Sequence, residues 1–427
     1  MIPKRENIGN GVGFCFYKTD KFKTDRIDVR FVVPLDEKTA SENALVFPVL
    51  FRATEKYPST LDMRVACETL YGASFDDGVS KRGDAQVITF SSSFLSPKYA
   101  IGGDDILGGA LDLISEVMLR PKTENGVFCA EYVDSEKKML IDDELAKVND
   151  KRRYAQQRLT EEMFEGTPFA LSESGRIEDI KAVTPASLYA AYKSLLGRAR
   201  VEICAVGDMD GERVKAFFAD LFGKIDRDPV PPVETAAMKG ARESVKNVRE
   251  HQNVTQGKLS LGFATGVSKK DGKDHVLDVT MKIFGSGTTS KLFMNVREKL
   301  SLCYYCSAGA NSLKGYMVVN SGIMFENEKK AVDEIMLQLG EVARGNITDE
   351  EMTAAKSEIV NRYNRIFDNG GSISGYVFGK IIDGDDETPE EKIKKVLSVT
   401  KEQVSDMAKG FKLDTYYFLC GKEGANE

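Results

Sequence analysis

Short stretches of the chain alternate apolar and polar residues, which is the pattern of half-buried β-strands. Ile27–Val33 (IDVRFVV) is the clearest example. We expect further strands at Gln86–Ser93, Val201–Gly207, Lys258–Phe263 and Tyr416–Gly421. Longer stretches between them have helical spacing, and the grouping of strands and helices favours an α+β arrangement over a parallel doubly wound sheet.

Helix-capping residues mark the starts of several of these longer stretches. Residues 39–42 (TASE) precede a predicted helix over Asn43–Ala53, and Ser59 precedes one that ends near Tyr71. We also predict helices over Asp104–Leu119 and Cys129–Arg158.

The polar, proline-containing segment Asp226–Arg249 predicts a linker between residues 1–225 and residues 250–427. The two halves resemble repeats of each other. Thr184 and Thr400 stand before helical patterns, Cys204 and Cys420 lie in the strands that follow, and both pairs have the same spacing. Ser59, Leu61, Met63 and Val65 match Ser290, Leu292, Met294 and Val296 at a second constant spacing. Two unrelated α+β domains remain the alternative.

Composition excludes several classes of protein. The 427 residues are 42% hydrophobic and carry a formal net charge of −7, which is typical of a globular protein and argues against a nucleic-acid binder. The longest apolar run is Ala44–Phe51, far shorter than the about 20 residues that span a bilayer. The N-terminal residues lack the apolar core of a secretion signal. We therefore expect a cytoplasmic protein that does not bind membranes.

Cysteines and histidines limit the chemistry further. The seven cysteines are mostly isolated, which favours free thiols in a reducing compartment. Cys303 and Cys306 form one C-x-x-C motif in a segment predicted as a strand, where residues three apart point to opposite faces. A thiol redox function for this pair is therefore disfavoured but stays an alternative. The two histidines, His251 and His275, have no second histidine and glutamate at metal-ligand spacing.

Four parts of the chain carry a family resemblance: the predicted helix Ala44–Thr54, the pair Glu136 and Asp143, the strand end Val206–Asp210, and Ser290–Tyr304 (SKLFMNVREKLSLCY). With them, nearly the whole chain resembles the insulinase/pitrilysin superfamily of inverted zinc peptidases, of the mitochondrial-processing-peptidase type. The resemblance implies two homologous α/β-layered domains that face each other across a peptide-binding cavity.

Active members of this superfamily carry H-x-x-E-H, in which two histidines bind zinc and the glutamate is the general base. The matching residues here are Ala44-Leu45-Val46-Phe47-Pro48. Ala44 and Pro48 cannot bind a metal, and Phe47 cannot accept a proton. The distal ligand position falls on Asp143, with Glu136 before it. We therefore expect no catalytic zinc, no other cofactor and no peptidase activity from this chain alone.

The same resemblance implies a role for Arg297 and Tyr304, which match the family's substrate-binding Arg/Tyr pair. Some bacterial members are heterodimers in which one subunit carries the zinc motif and the other the Arg/Tyr pair. This chain matches the second kind, so a homologous zinc-bearing subunit and a peptide or unfolded protein are the expected partners. The alternatives are a purely structural or assembly subunit and a regulatory peptide-binding protein without a peptidase partner.

Overall fold

The computed structural model describes residues 3–421, which form two compact units. Unit 1 contains residues 3–144, 171–234 and 366–386, and unit 2 contains residues 145–170, 235–365 and 387–421. The chain crosses between the units within the predicted linker, after Glu234. The units differ from the two contiguous halves of the chain. Residues 145–170 of the first half belong to unit 2, and residues 366–386 of the second half belong to unit 1.

Unit 1 contains a six-stranded sheet in which one pair of neighbouring strands is parallel and the other neighbours are antiparallel. In order across the sheet, the strands are β1 (Glu6–Gly9), β2 (Val12–Lys18), β8 (Arg200–Gly207), β3 (Thr24–Pro34), β5 (Ala85–Leu95) and β4 (Ser74–Arg82). A separate two-stranded sheet joins β6 (Thr123–Glu124) to β7 (Val127–Phe128).

Unit 2 contains a five-stranded sheet whose order and strand directions repeat those of β2-β8-β3-β5-β4. In the corresponding order, the strands are β9 (Lys246–Gln252), β13 (Lys412–Gly421), β10 (Gly257–Ala264), β12 (Tyr316–Ile323) and β11 (Cys303–Asn311). The parallel pair β13–β9 corresponds to β8–β2. The predicted α+β class with two homologous domains is therefore confirmed.

Helices cover both faces of each sheet. Those of unit 1 are α1 (Ala40–Leu50), α2 (Thr60–Thr69), α3 (Ile106–Leu119), α4 (Ala130–Ala146), which ends at the unit boundary, α6 (Ile177–Ala182), α7 (Pro185–Arg198), α8 (Gly211–Gly223) and α12 (Gly370–Asp383). Those of unit 2 are α5 (Lys151–Met163), α9 (Asp274–Phe284), a π-helix (Leu292–Lys299), α10 (Glu328–Ala343), α11 (Asp349–Arg365), α13 (Pro389–Ser398) and α14 (Lys401–Lys409).

The two exchanged segments place one helix on a sheet face of each unit. In unit 1, Ile373 and Val377 of α12 pack on Cys15, Cys204 and Val206. In unit 2, apolar residues of α5 pack on β12 and β13, and the buried members of this cluster include Ala155, Leu159, Met163, Val318, Tyr417 and Leu419. Because these helices bury apolar faces of the sheets, they are integral parts of the units that they join.

Most elements agree with the sequence-based predictions. Ser59 caps α2 by accepting a hydrogen bond from the Asp62 amide, and Thr184 and Thr400 form capping boxes at equivalent helices, as the repeat predicts. The predicted helix Cys129–Arg158 is wrong, because it is two helices. The Asp150 carboxylate caps α5 by accepting from the amides of Arg152 and Arg153, at 3.2 and 3.1 Å. The predicted linker is irregular only as far as Val245, since β9 follows.

Candidate functional site

A cavity of about 490 Å³ in unit 1 lies where the sequence predicts the degenerate metal site; we call it the N-terminal cavity. Helix α1 contributes Ala44 and Pro48, and α4 contributes Glu136 and Asp143. The structure thus brings three of the four predicted positions together with Glu136. Apolar side chains line much of the rest of the cavity, among them Leu45, Phe51, Val79, Met139 and Leu140.

Phe47, the fourth predicted position, does not line the N-terminal cavity. Its side chain is only 1% exposed and packs among the rings of Phe31, Phe90 and Phe51, at centroid distances of 5.4, 5.5 and 6.2 Å. The residue at the position of the family's general base has therefore become part of the apolar core. The residues of α1 that line the N-terminal cavity, Ala44, Leu45 and Pro48, have no proton-accepting side chain.

An arginine occupies the cavity face of α1. Ala44, Pro48 and Arg52 are spaced four residues apart, so they follow one face of the helix and its C-terminal extension. Arg52 Nε donates a charge-assisted hydrogen bond to Glu136 Oε1, and Nη2 lies 3.3 Å from Ser135 Oγ. Glu136 is only 7% exposed, so the guanidinium supplies the positive charge that this buried carboxylate requires.

A third carboxylate in the cavity, that of Asp77 on β4, has a perturbed pKa. Burial, together with the nearby charges of Asp76 and Glu136, raises the pKa of Asp77 to about 6. Arg52 and Asp77 were not among the site residues predicted from the sequence. Two signals were present: Arg52 follows Pro48 at helical spacing, and Phe75, Asp77 and Val79 alternate on the inward face of an edge strand.

The residues present do not fit a zinc ion. Ala44 and Pro48 offer no ligand atom, and Glu136 is already paired with Arg52. Across residues 3–421, no three His, Cys, Asp or Glu side chains gather as a metal-ligand set. The two histidines lie in unit 2: His251 Nδ1 is 2.9 Å from the Gly421 carbonyl, while burial and the charge of Lys395 lower the pKa of His275.

Arg297 and Tyr304 lie at the two ends of one turn in unit 2, which we call the Arg297–Tyr304 turn. The side chain of Arg297, near the end of the π-helix, is 42% exposed. Its guanidinium lies 4.6 Å from the Phe293 ring centroid, and Nε is 3.4 Å from a carboxylate oxygen of Glu298. Ser301 has a φ of 50°, which lets the chain reverse between helix and strand.

Tyr304 lies in a β-bulge at the start of β11. Cys303 pairs with Ile323, Tyr305 with Gly322 and Cys306 with Ser321, so Tyr304 is the extra residue. Tyr304 is 79% exposed. The Tyr305 ring instead lies 4.4 Å from the Arg152 guanidinium, and burial raises the pKa of Tyr305 to about 12. The bulge therefore directs the two adjacent tyrosines into different environments.

The same bulge corrects the prediction that Cys303 and Cys306 point to opposite faces. Their partners on β12, Ile323 and Ser321, are two residues apart, so the extra residue restores a common face. The two thiols are close enough to form a hydrogen bond. Regular strand periodicity could not predict this, because the bulge has no glycine or proline signal in the sequence.

Comparison with known proteins identifies the family. The probable inactive metalloprotease YmfF of Bacillus subtilis is 32% identical over 411 residues, which cover 96% of this chain and 96% of that protein. The family description "Peptidase M16 inactive domain" matches residues 182–359. The chain belongs to the M16 peptidase family. A less similar relative, an uncharacterized zinc protease of Mycobacterium bovis, is 24% identical over 322 residues, covering 73% of this chain and 70% of that protein.

Solved structures share the fold over the whole length of this M16 homologue. A conserved protein from Enterococcus faecalis V583 is 27% identical and has a TM-score of 0.92, with 100% of both chains covered. A peptidase M16 inactive domain from Pseudomonas fluorescens, 19% identical with 98% of both chains covered, has a TM-score of 0.82. None of the helices described in residues 3–421 combines the length and apolar character needed to cross a membrane.

Proposed function

We propose that this M16 homologue is a non-catalytic, peptide-binding subunit of a zinc metallopeptidase. In this proposal, Arg297 and Tyr304 act at an active site whose zinc is bound by a homologous partner. One contrast carries the proposal: Ala44 and Pro48 leave the N-terminal cavity without the two histidine ligands of the family's zinc site, whereas the Arg297–Tyr304 turn keeps both side chains exposed.

The chemistry of the two side chains supports this role. A guanidinium has several N–H donors in a fixed plane and can bind peptide carbonyl oxygens. A phenol can donate to the oxyanion that forms when a peptide carbonyl is attacked. Tyr304 is far more exposed than the neighbouring Tyr305, so packing does not explain its position.

The sheet edges also suit an extended peptide. β4 and β11 are the equivalent edge strands of the two sheets, each nine residues long. An edge strand leaves a row of backbone N–H and C=O groups that can pair with an added strand. β11 begins with the bulge that carries Tyr304, so a peptide along this edge would lie beside the phenol.

The test is to purify the chain alone, its zinc-bearing M16 homologue alone, and both together. Bound zinc is measured by mass spectrometry, and cleavage is measured with a fluorogenic peptide library. We expect cleavage only from the pair, with zinc in the partner. Arg297→Ala should lower the turnover of the pair at least about tenfold, while Lys299→Ala on the same π-helix should have little effect.

Each of the other outcomes contradicts part of the proposal. Cleavage by this chain alone would refute its assignment as non-catalytic. Full activity of the Arg297→Ala pair would remove the Arg297–Tyr304 turn from the active site and favour a structural or assembly subunit. Peptide binding by the chain without any cleaving pair would favour a regulatory peptide-binding protein. We also propose a cytoplasmic location, in line with seven free thiols.

A further inference from the structure

Cys303 and Cys306 flank the bulge residue Tyr304 and share one face of the sheet. Two residues of strand rise separate their partners on β12, so the two Cα atoms are about 6.5 Å apart. Disulfides join Cα atoms about 4.4–6.8 Å apart and Cβ atoms about 3.5–4.5 Å apart, so the Cα separation lies near the upper limit and the bulge has to contract for the two sulfurs to bond.

The two thiols differ in exposure and in pKa, as a reactive cysteine and its resolving cysteine do. Cys303 is half-buried, whereas Cys306 is only 4% exposed. The hydrogen bond from the Cys306 thiol lowers the pKa of Cys303, and Ser321 and the charge of Arg297 act in the same direction. The hydrogen bond and burial raise the pKa of Cys306. Cys303 is therefore the accessible nucleophile, and Cys306 is the protonated thiol beside it.

We propose that Cys303 and Cys306 are a redox site that closes reversibly to an intramolecular disulfide with a low-molecular-weight disulfide as oxidant. The Cys303 thiolate attacks one sulfur of the oxidant and expels a thiolate, which takes up a proton. Cys306 then loses its proton, attacks Sγ of Cys303 in the mixed disulfide and expels the second thiolate. Two protein thiols are oxidised, and one small disulfide is reduced to two thiols.

The consequence for peptide binding rests on the proposed function. A disulfide would fix both ends of the bulge and so restrict Tyr304. It would also remove the Cys303 thiol group that interacts with the charge of Arg297, leaving that charge to bind peptide carbonyls. Because preorganised groups bind more tightly, we expect the oxidised chain to bind peptide about fivefold more tightly than the reduced chain.

The chain contains a matched control pair. Cys15 on β2 and Cys204 on β8 are directly opposite each other in register and interact through their thiols. They are only 1% and 2% exposed, in the cluster that packs under α12. An accessible low-molecular-weight oxidant should therefore leave Cys15 and Cys204 reduced in the folded chain while it oxidises Cys303 and Cys306.

The test uses the full chain in mixtures of oxidised and reduced glutathione at pH 7.5. Samples are quenched in acid, alkylated in denaturant, digested with trypsin and weighed by mass spectrometry. Residues 300–314 form one tryptic fragment that contains only these two cysteines. We expect this fragment to become two hydrogens lighter and unalkylated in oxidising mixtures, and to recover in reducing ones. The Cys15 and Cys204 fragments should stay alkylated throughout.

Single variants test the order of attack. Cys306→Ser should accumulate a glutathione adduct on Cys303, while Cys303→Ser should leave Cys306 unmodified because that thiol is buried. A wild-type fragment that never loses two hydrogens, or that stops at a stable glutathione adduct, would overturn the proposal. Equal reactivity of Cys306 in Cys303→Ser would overturn the assigned roles. Circular dichroism checks that each variant is folded.

Peptide affinity, measured by fluorescence polarisation, separates this inference from the proposed function. If neither redox state binds peptide while Cys303 and Cys306 still form the disulfide, the proposed function fails and the redox site stands. If the reduced chain binds peptide and oxidation leaves its affinity unchanged, the coupling between the disulfide and the Arg297–Tyr304 turn is overturned. The Cys303→Ser/Cys306→Ser double variant should bind peptide equally in both mixtures.

Discussion

The N-terminal cavity and the Arg297–Tyr304 turn lie beside equivalent edge strands, β4 and β11, but they differ in the burial of their charged groups. In the cavity, Glu136 is buried and paired with Arg52. In the turn, Arg297 and its neighbour Glu298 are both exposed. A buried carboxylate that has no metal destabilises the fold unless another cation neutralises it, whereas exposed charges make no such demand. Arg52 therefore compensates for the buried charge of Glu136 in the cavity, whereas the exposed charges of the turn need no such compensation.

The helices before these edge strands differ as well. Ser59 and Ser290 occupy matching positions in the repeat, yet Leu61 is 68% exposed while its counterpart Leu292 is fully buried. The hydroxyl oxygen of each serine accepts from the amide three residues later. The first segment forms the α-helix α2, and the second is a π-helix. Equivalent sequence positions can thus face in opposite directions when the helix type and its packing differ.

The largest expected effect comes from restoring a carboxylate at position 47. Phe47→Glu would bury a charge among three phenylalanine rings, so we expect a loss of more than about 4 kcal/mol in the free energy of unfolding. Urea denaturation measures this loss. The control, Phe47→Leu, should cost only about 1.5 kcal/mol. Wild-type stability of Phe47→Glu would show that position 47 can turn toward the cavity.

Arg52→Ala tests the compensation in the cavity directly. Removing the guanidinium leaves Glu136 buried without a cation, and we expect a loss of about 3 kcal/mol at pH 7.5 by urea denaturation. Arg213→Ala is the control, because Arg213 and Asp105 form an exposed pair that should be worth less than about 1 kcal/mol. Adding Glu136→Gln to Arg52→Ala should recover part of the loss. Equal losses in the two single variants would contradict the role assigned to Arg52.

Much of the fold could be predicted from the sequence because its local signals are strong. Strand alternation at Ile27–Val33 and the capping threonines Thr184 and Thr400 depend on neighbouring residues alone. The exchange of α5 and α12 between the units could not be predicted, since it depends on which distant sheet face each helix covers.

Some features of the candidate site could likewise be predicted from the sequence, and others could not. The loss of ligand atoms at Ala44 and Pro48 is a property of residue type and was predicted from the sequence. The ion pair between Arg52 and Glu136 joins residues far apart in the chain, and the common face of Cys303 and Cys306 depends on a bulge. Both features require the three-dimensional structure.

Asp77→Asn should raise the free energy of unfolding, and its effect should be smaller than that of Arg52→Ala. The pKa of Asp77 is about 6 in the folded chain, above the value of about 3.9 expected when it is unfolded. Between these values the folded state binds more protons, so the contribution of Asp77 to stability falls as the pH rises from about 4 to about 6.

Because Asn is uncharged, Asp77→Asn should gain about 1 kcal/mol at pH 7.5, after allowance for partial solvent exposure, and almost nothing at pH 4. Urea denaturation at both pH values measures the difference. Asp76→Asn on the outward face of β4 serves as the control, since this exposed carboxylate should give a smaller gain at pH 7.5. A gain from Asp77→Asn that does not depend on pH would contradict the raised pKa.

The smallest expected effect on stability belongs to the Arg297–Tyr304 turn. Tyr304→Ala removes a side chain that is 79% exposed, so the free energy of unfolding should change by less than about 0.5 kcal/mol. Tyr305→Ala is a control one residue away, and it should cost about 2 kcal/mol because it removes a partly buried ring that contacts Arg152. A large loss from Tyr304→Ala would mean that Tyr304 supports the fold. A negligible loss, together with weaker peptide binding, would mean that its exposure serves recognition.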